Sequence, residues 1–224
     1  MWIYYTFELV YLFNAVATCI LIYSAHSKRH TEGFSFYSRL MFTVASVIQI
    51  YYFVHSPMSD FTLFWAISIG NMLLHIYQLY SMRKFTGISI GAESNDIDYR
   101  LLFLAALILT FISLLEKSDS HYLYLVAIRF CNFTEALGLV PQIKLMWKNR
   151  FVPHHVGYYL LSLMIARIFR VLFWFELNYW NKYYNDTTET FYVLILADVI
   201  YVLLIADFVY LWFKYRNSTL IPLS

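Results

Sequence analysis

The chain has 224 residues, of which 61% are hydrophobic and 21% aromatic, while only 13% are charged. Soluble domains carry about a quarter charged residues, so with a mean hydropathy of +0.57 the composition excludes an ordinary soluble domain and points to lipid as the main solvent. A formal net charge of +2 is too small to argue for nucleic acid, and no basic recognition module is present.

A membrane span needs about 20 mostly apolar residues. Seven candidates follow in chain order, at 2–24, 37–54, 61–82, 101–116, 121–147, 156–177 and 191–213. The first carries Glu8 and lacks a basic start, so it reads as a true span and not as a cleavable leader. The second and fourth are short, and must tilt little or end at snorkelling side chains. The joins between runs are brief and polar, none long enough for an extramembrane domain. The expectation is one integral membrane domain over 1–224, with 214–224 as a short tail. Basic residues, among them Arg83, Lys84, Arg100, Lys148 and Arg150, gather at the first, third and fifth joins and the tail, against Lys117 and Lys182 on the opposite side. That asymmetry puts the amino terminus in a lumen and the carboxyl terminus in the cytosol. The sequon Asn185-Asp186-Thr187 in the last lumenal join agrees with it.

Charges at membrane depth are costly, so each needs a partner, a water-filled cavity or an interfacial position. Arg129, Arg167 and Arg170 fall inside spans, as do the acids Glu8, Glu135, Asp198 and Asp207, with Glu176 near a boundary. The fifth span holds Glu135-Ala136-Leu137-Gly138-Leu139-Val140-Pro141-Gln142, an acid and a proline deep in an apolar run. Pro141 removes a backbone donor and is expected to bend the helix, with neighbours covering the freed carbonyl. Arg167 and Arg170, three apart, share one face of the sixth span, and Glu135 is the acid expected beside them. Two readings fit. One is a cationic pocket, because arginine offers a fork of donors matched to a carboxylate; the other is a salt bridge that only fastens helices. Two arginines beside a single nearby acid favour the pocket. Asp198 and Asp207, nine apart, fall on different faces of the last span. His75 reads as a packing residue, and Cys19 and Cys131 as buried thiols. Paired histidines at metal spacing, a glycine-rich phosphate loop and a Ser-His-Asp arrangement are all missing, so no enzyme, cofactor or metal is expected.

Glu135, separated by five residues from Pro141-Gln142 and followed by a short basic loop, resembles the fifth span of the KDEL receptors, which retain proteins of the ER lumen. The resemblance continues through Arg167 and Trp174, and returns in Ala206-Asp207-Phe208-Val209-Tyr210-Leu211 and in Gly33-Phe34-Ser35. It implies an all-α membrane protein of SWEET-like build, in which seven transmembrane helices form two three-helix bundles joined by a linking helix. It implies a receptor, not an enzyme, that binds C-terminal tetrapeptide signals of escaped ER lumenal proteins. Such a receptor resides in ER and Golgi membranes and returns its cargo in COPI vesicles. Glu135, Arg167 and Trp174 match family pocket positions, and Asp207 matches an acid linked to retrograde traffic, beside the basic tail residues Lys214 and Arg216. The family's first-span arginine and histidine are Phe7 and Asn14 here, its second-span arginine is Gln49, and two sixth-span tyrosines are Ala166 and Arg170. A later sixth-span arginine is Leu177. The expected ligand-binding set is therefore Glu135, Arg167, Arg170, Trp174, Gln49 and Asn14. Two other functions suit the same spans. A small-solute transporter of the PQ-loop or SWEET type draws support from Asn14, Gln49 and Asn71; a scaffold would have a degenerate pocket.

Overall fold

Apolar runs of this length fold as helices because lipid leaves no alternative partner for backbone polar groups. The computed structural model describes residues 2–28, 34–54, 62–85, 98–114, 122–149, 154–184 and 192–215. In them it has seven helices and no strand: α1 (Trp2–Lys28), α2 (Phe36–Val54), α3 (Thr62–Phe85), α4 (Tyr99–Leu114), α5 (Tyr122–Asn149), α6 (His154–Tyr184) and α7 (Tyr192–Tyr215). Each expected span corresponds to one helix, and the ends differ. α6 passes the expected end of its span and runs to Tyr184, because no glycine or proline interrupts it between Asn178 and Tyr184. Its 31 residues measure about 46 Å at 1.5 Å per residue, longer than the roughly 30 Å hydrocarbon layer. α7 continues to Tyr215, so Lys214 stands on its last turn and not in a tail. Gly33, Lys117, the Asn185 sequon and Arg216 lie outside the described residues.

The helix pairings repeat. α3 packs against both α1 and α2, and α7 against both α5 and α6, while α1 lies on α6 and α2 on α5. Exchanging α1, α2 and α3 for α5, α6 and α7 turns each of these pairings into another of the set. This is the mark of two parallel three-helix halves, with α4 laid against α5 as the link.

Polarity is reversed relative to a soluble domain. α4 buries Ala106, Thr110 and Leu114, four residues apart, and exposes Leu101, Leu104, Ile108 and Ile112. α7 exposes Leu196, Ile200 and Leu203, whereas Arg39, Glu135, Arg167, Arg170 and Asp198 are buried. Among the described residues two helical stretches, Tyr5–Ser27 and Tyr192–Lys214, are long and apolar enough on their own to cross a membrane. α4 is shorter, and the others carry the polar residues that the interior uses.

Two apolar clusters fill the bundle, one around Leu21, Phe42, Leu139 and Tyr201, the other around Phe7, Tyr11, Phe173 and Trp174. Small residues set how closely the helices approach. A Cβ on Gly138 of α5 would stand 3.1 Å from the Cβ of Met41 on α2, and one on Gly157 of α6 would enter the indole of Trp212 on α7. Gln142 is buried, and its Oε1 accepts the backbone N–H of Ser35 at 2.9 Å. Ser35 in turn caps α2, its Oγ accepting the N–H of Ser38 at 3.3 Å. α5 stays helical through Pro141, which leaves the carbonyl of Leu137 without its usual helical donor.

Candidate functional site

Helical periodicity brings the charges of three helices to one level. α6 presents Arg167, Arg170 and Trp174 at i, i+3 and i+7, α5 presents Asn132 and Glu135 at i and i+3, and α7 presents Asp198 and Tyr201 at i and i+3. Arg167 Nη1 lies 2.8 Å from Glu135 Oε2 and 3.1 Å from Asp198 Oδ1. Arg170 donates from Nε to Asp198 Oδ2 at 2.7 Å, from Nη1 to Glu135, and from Nη2 to both Asn132 and Asp198. Trp174 Nε1 donates to Asp198 Oδ2 at 3.0 Å, and the Arg167 guanidinium sits 4.3 Å over the ring of Tyr201. Asn132 also donates to the carbonyl of Leu194 at 3.3 Å. Arg167 and Asp198 are each only 1% exposed.

The expectation of one acid serving two arginines is thereby corrected. Asp198 is the second acid, so two guanidinium groups face two carboxylates and the cluster is neutral. Short joins on the chain suggested only the α5–α6 pairing, and Asp198 enters from α7. Arg129 stands apart, donating to the carbonyl of Ser113 and so tying α5 to α4. Ala166 is fully buried and contributes no hydroxyl.

Beside the cluster, between α1, α2, α5 and α6, lies a cavity of about 30 Å³ whose walls include Phe7, Tyr11, Gln49, Asn132, Arg170 and Trp174. That is space for one or two water molecules. Gln49 donates to the hydroxyl of Tyr11 across this wall. Gln49, Arg170 and Trp174 therefore line the cavity, and Glu135 and Arg167 stand behind them. Asn14 does not reach the cavity. It continues the α1 face of Phe7, Val10 and Tyr11 but lies a turn deeper, and its carbonyl accepts the Thr18 hydroxyl at 2.9 Å. Asp198, Asn132 and Tyr11 are site residues that the sequence reading did not select; Asn132 carried a signal, standing one turn before Glu135.

Away from the cavity, Asp207 and Lys214 are both exposed on α7, seven residues and so two turns apart on one face. His75 is buried with its Nδ1 3.3 Å from Gln78 Oε1, a packing role as expected. Both cysteines are free, but Cys19 is exposed on the outer face of α1 instead of buried.

Reversed polarity, two repeated three-helix halves and an ionised cluster beside a small interior cavity define a seven-helix membrane protein with a central polar pocket. A family model described as ER lumen protein retaining receptor matches residues 30–177, about two thirds of the chain, and the chain belongs to that family of receptors. The match includes Glu135, Arg167, Arg170 and Trp174 and ends ahead of α7 with Asp198 and Asp207. No curated protein matches the chain.

Proposed function

We propose that the protein binds C-terminal retention tetrapeptides of escaped ER lumenal proteins in the cavity between α1, α2, α5 and α6, and returns them from Golgi to ER. The carrying observation is that Glu135, Arg167 and Trp174, which match family pocket positions, join Arg170 in one cluster, of which Arg170 and Trp174 line the cavity. In this reading the single membrane domain has its amino terminus in the lumen, and the cavity opens near the amino-terminal end of α1. The exposed Asp207 and Lys214 form the cytosolic face read by the COPI machinery, the basic Arg216 follows them in the sequence, and Pro141 bends α5. The test is binding of labelled peptides ending in Lys-Asp-Glu-Leu or His-Asp-Glu-Leu to the purified protein at acidic and neutral pH. Saturable binding that Arg167→Ala abolishes is the expected result; no binding to either peptide ends this reading. The small cavity, walled by the neutral groups of Gln49, Tyr11 and Asn132, supports a second reading as a small-solute transporter, which uptake into liposomes tests.

A further inference from the structure

Arg170 lines the cavity, yet each of its guanidinium nitrogens already donates to a side chain of the protein. Asp198 occupies this fork as a ligand carboxylate would. Its two oxygens take Nε and Nη2 of Arg170 side by side, and Trp174 adds the indole N–H at 3.0 Å. Paired donors of this kind form the strong, planar class of charge-assisted hydrogen bond. A carboxylate-bearing ligand thus meets a site that is already filled.

We propose that Asp198 is a tethered competitor for the ligand carboxylate: the incoming acid takes over Arg170 and Trp174, and Asp198 shifts onto Arg167. This rests on the reading of the cavity as a peptide-end site and names the residue that sets its selectivity. Asp198 is the group that exchanges because both of its cavity-facing partners, Arg170 and Trp174, are themselves walls of the cavity. Glu135 and Asp198 both also meet Arg167, at 2.8 and 3.1 Å, so Asp198 keeps that contact when Arg170 and Trp174 are taken over. Arg167 has room in its valence for the displaced acid, since its buried Nε and Nη2 have no hydrogen-bond partner among the described residues. Asp198 therefore never becomes an uncompensated buried charge, which is what makes breaking such pairs expensive.

Charge balance favours the same exchange. Arg39, on α2, is 1% exposed and meets the faces of Phe42 and Tyr159 at 4.4 and 4.5 Å and the Ser38 hydroxyl, but no carboxylate among the described residues. Among the described residues the buried arginines Arg39, Arg129, Arg167 and Arg170 outnumber the buried acids Glu135 and Asp198 by two, and an added anion reduces that excess. A neutral ligand end offers nothing that displaces a side-by-side ion pair, so the exchange selects for a carboxylate.

The experiment measures binding of N-acetyl-leucine, N-acetyl-leucinamide and a peptide ending in Lys-Asp-Glu-Leu to the purified full chain and to Asp198→Asn. Asparagine keeps the shape and an acceptor for Trp174 but gives up the charge. N-acetyl-leucine is expected to bind the variant about ten- to a hundredfold more tightly than the unaltered chain, with the amide unchanged. Equal affinity of the carboxylate for the two proteins, or no binding to either, overturns the proposal. If N-acetyl-leucine shows the gain while neither protein takes the peptide, the receptor reading fails and the exchange stands. Should the variant not fold, the unaltered chain decides. N-acetyl-leucine then shifts the indole N–H resonance of Trp174, identified by its loss in Trp174→Phe, and a resonance left unmoved overturns the exchange.

Discussion

Arg39 and Arg170 are both buried guanidinium groups, yet their surroundings demand opposite responses to the same deletion. Arg170 is met by Glu135, Asp198 and Asn132. Arg170→Leu leaves two carboxylates sharing Arg167, and breaking a buried pair from one side costs about 3–5 kcal/mol. Arg39 meets ring faces, and its Nε and Nη1 have no hydrogen-bond partner among the described residues; Arg39→Met removes a desolvated charge and keeps much of the volume. Thermal unfolding in detergent is expected to fall sharply for Arg170→Leu, to recover when Asp198→Leu is added, and to hold or rise for Arg39→Met. A sharp fall for Arg39→Met would show that an acid reaches it. The same residues show what the sequence discloses of the site. Glu135, Arg167 and Arg170 are legible because ionisable groups inside an apolar run are rare and must meet. Asp198 carries the same signal, but its arginines lie 28 and 31 positions away on another helix. Composition does not orient one helix against another. Gln49 was legible as the occupant of a pocket position; Asn14 was not, because one helical turn of depth decides it.

At the scale of elements, contact distance is set by what is missing from a side chain. Gly157 allows Trp212, 3% exposed, to lie against the backbone of α6, with Tyr158 edge-on to the indole at 4.7 Å between centroids. Gly157→Val drives a branched side chain into a buried ring, and overpacking of this kind costs about 1–3 kcal/mol. The expected result is a lower unfolding temperature for Gly157→Val, recovered in part by Trp212→Leu, which clears the space. An unchanged unfolding temperature in Gly157→Val would mean that the α6–α7 seam is looser than this packing implies. All seven helices were legible from hydropathy, since a lipid-facing stripe needs a long apolar run. Their ends were not. Hydropathy stops at about residue 177 of α6, whereas the helix ends where backbone bonding does, at Tyr184. The repeat was equally hidden, because it lives in which helices touch and not in matching residues.

At the scale of the whole molecule, a cavity of about 30 Å³ has room for one or two waters and not for a tetrapeptide, so peptide binding there requires the halves to part. Two seams close the cavity, α1 on α6 and α2 on α5, and they are built differently. The α2–α5 seam is tied by the Gln142 bond to Ser35, by the Cys131 thiol donating to the carbonyl of Ala45 at 3.2 Å, and by the close approach at Gly138. The α1–α6 seam has ring contacts, Phe7 on Phe173 at 5.4 Å beside the cavity and Phe13 on Phe169 at 5.7 Å deeper in, and a hydroxyl near the mouth, Thr6, donating to Glu176 at 2.9 Å. Ring contacts slide at small cost, whereas directional bonds to buried groups resist separation. Opening is therefore expected along α1 and α6. Spin labels at Tyr5→Cys and Tyr179→Cys, both on exposed positions flanking this mouth, report it by pulsed dipolar spectroscopy. Peptide binding is expected to lengthen the α1–α6 distance, while a label pair across α2 and α5, at Val47→Cys and Lys144→Cys, stays fixed. Lengthening at the α2–α5 pair alone would reverse the assignment of hinge and gate, and no change at either pair in a peptide-saturated sample would place the ligand outside this cavity.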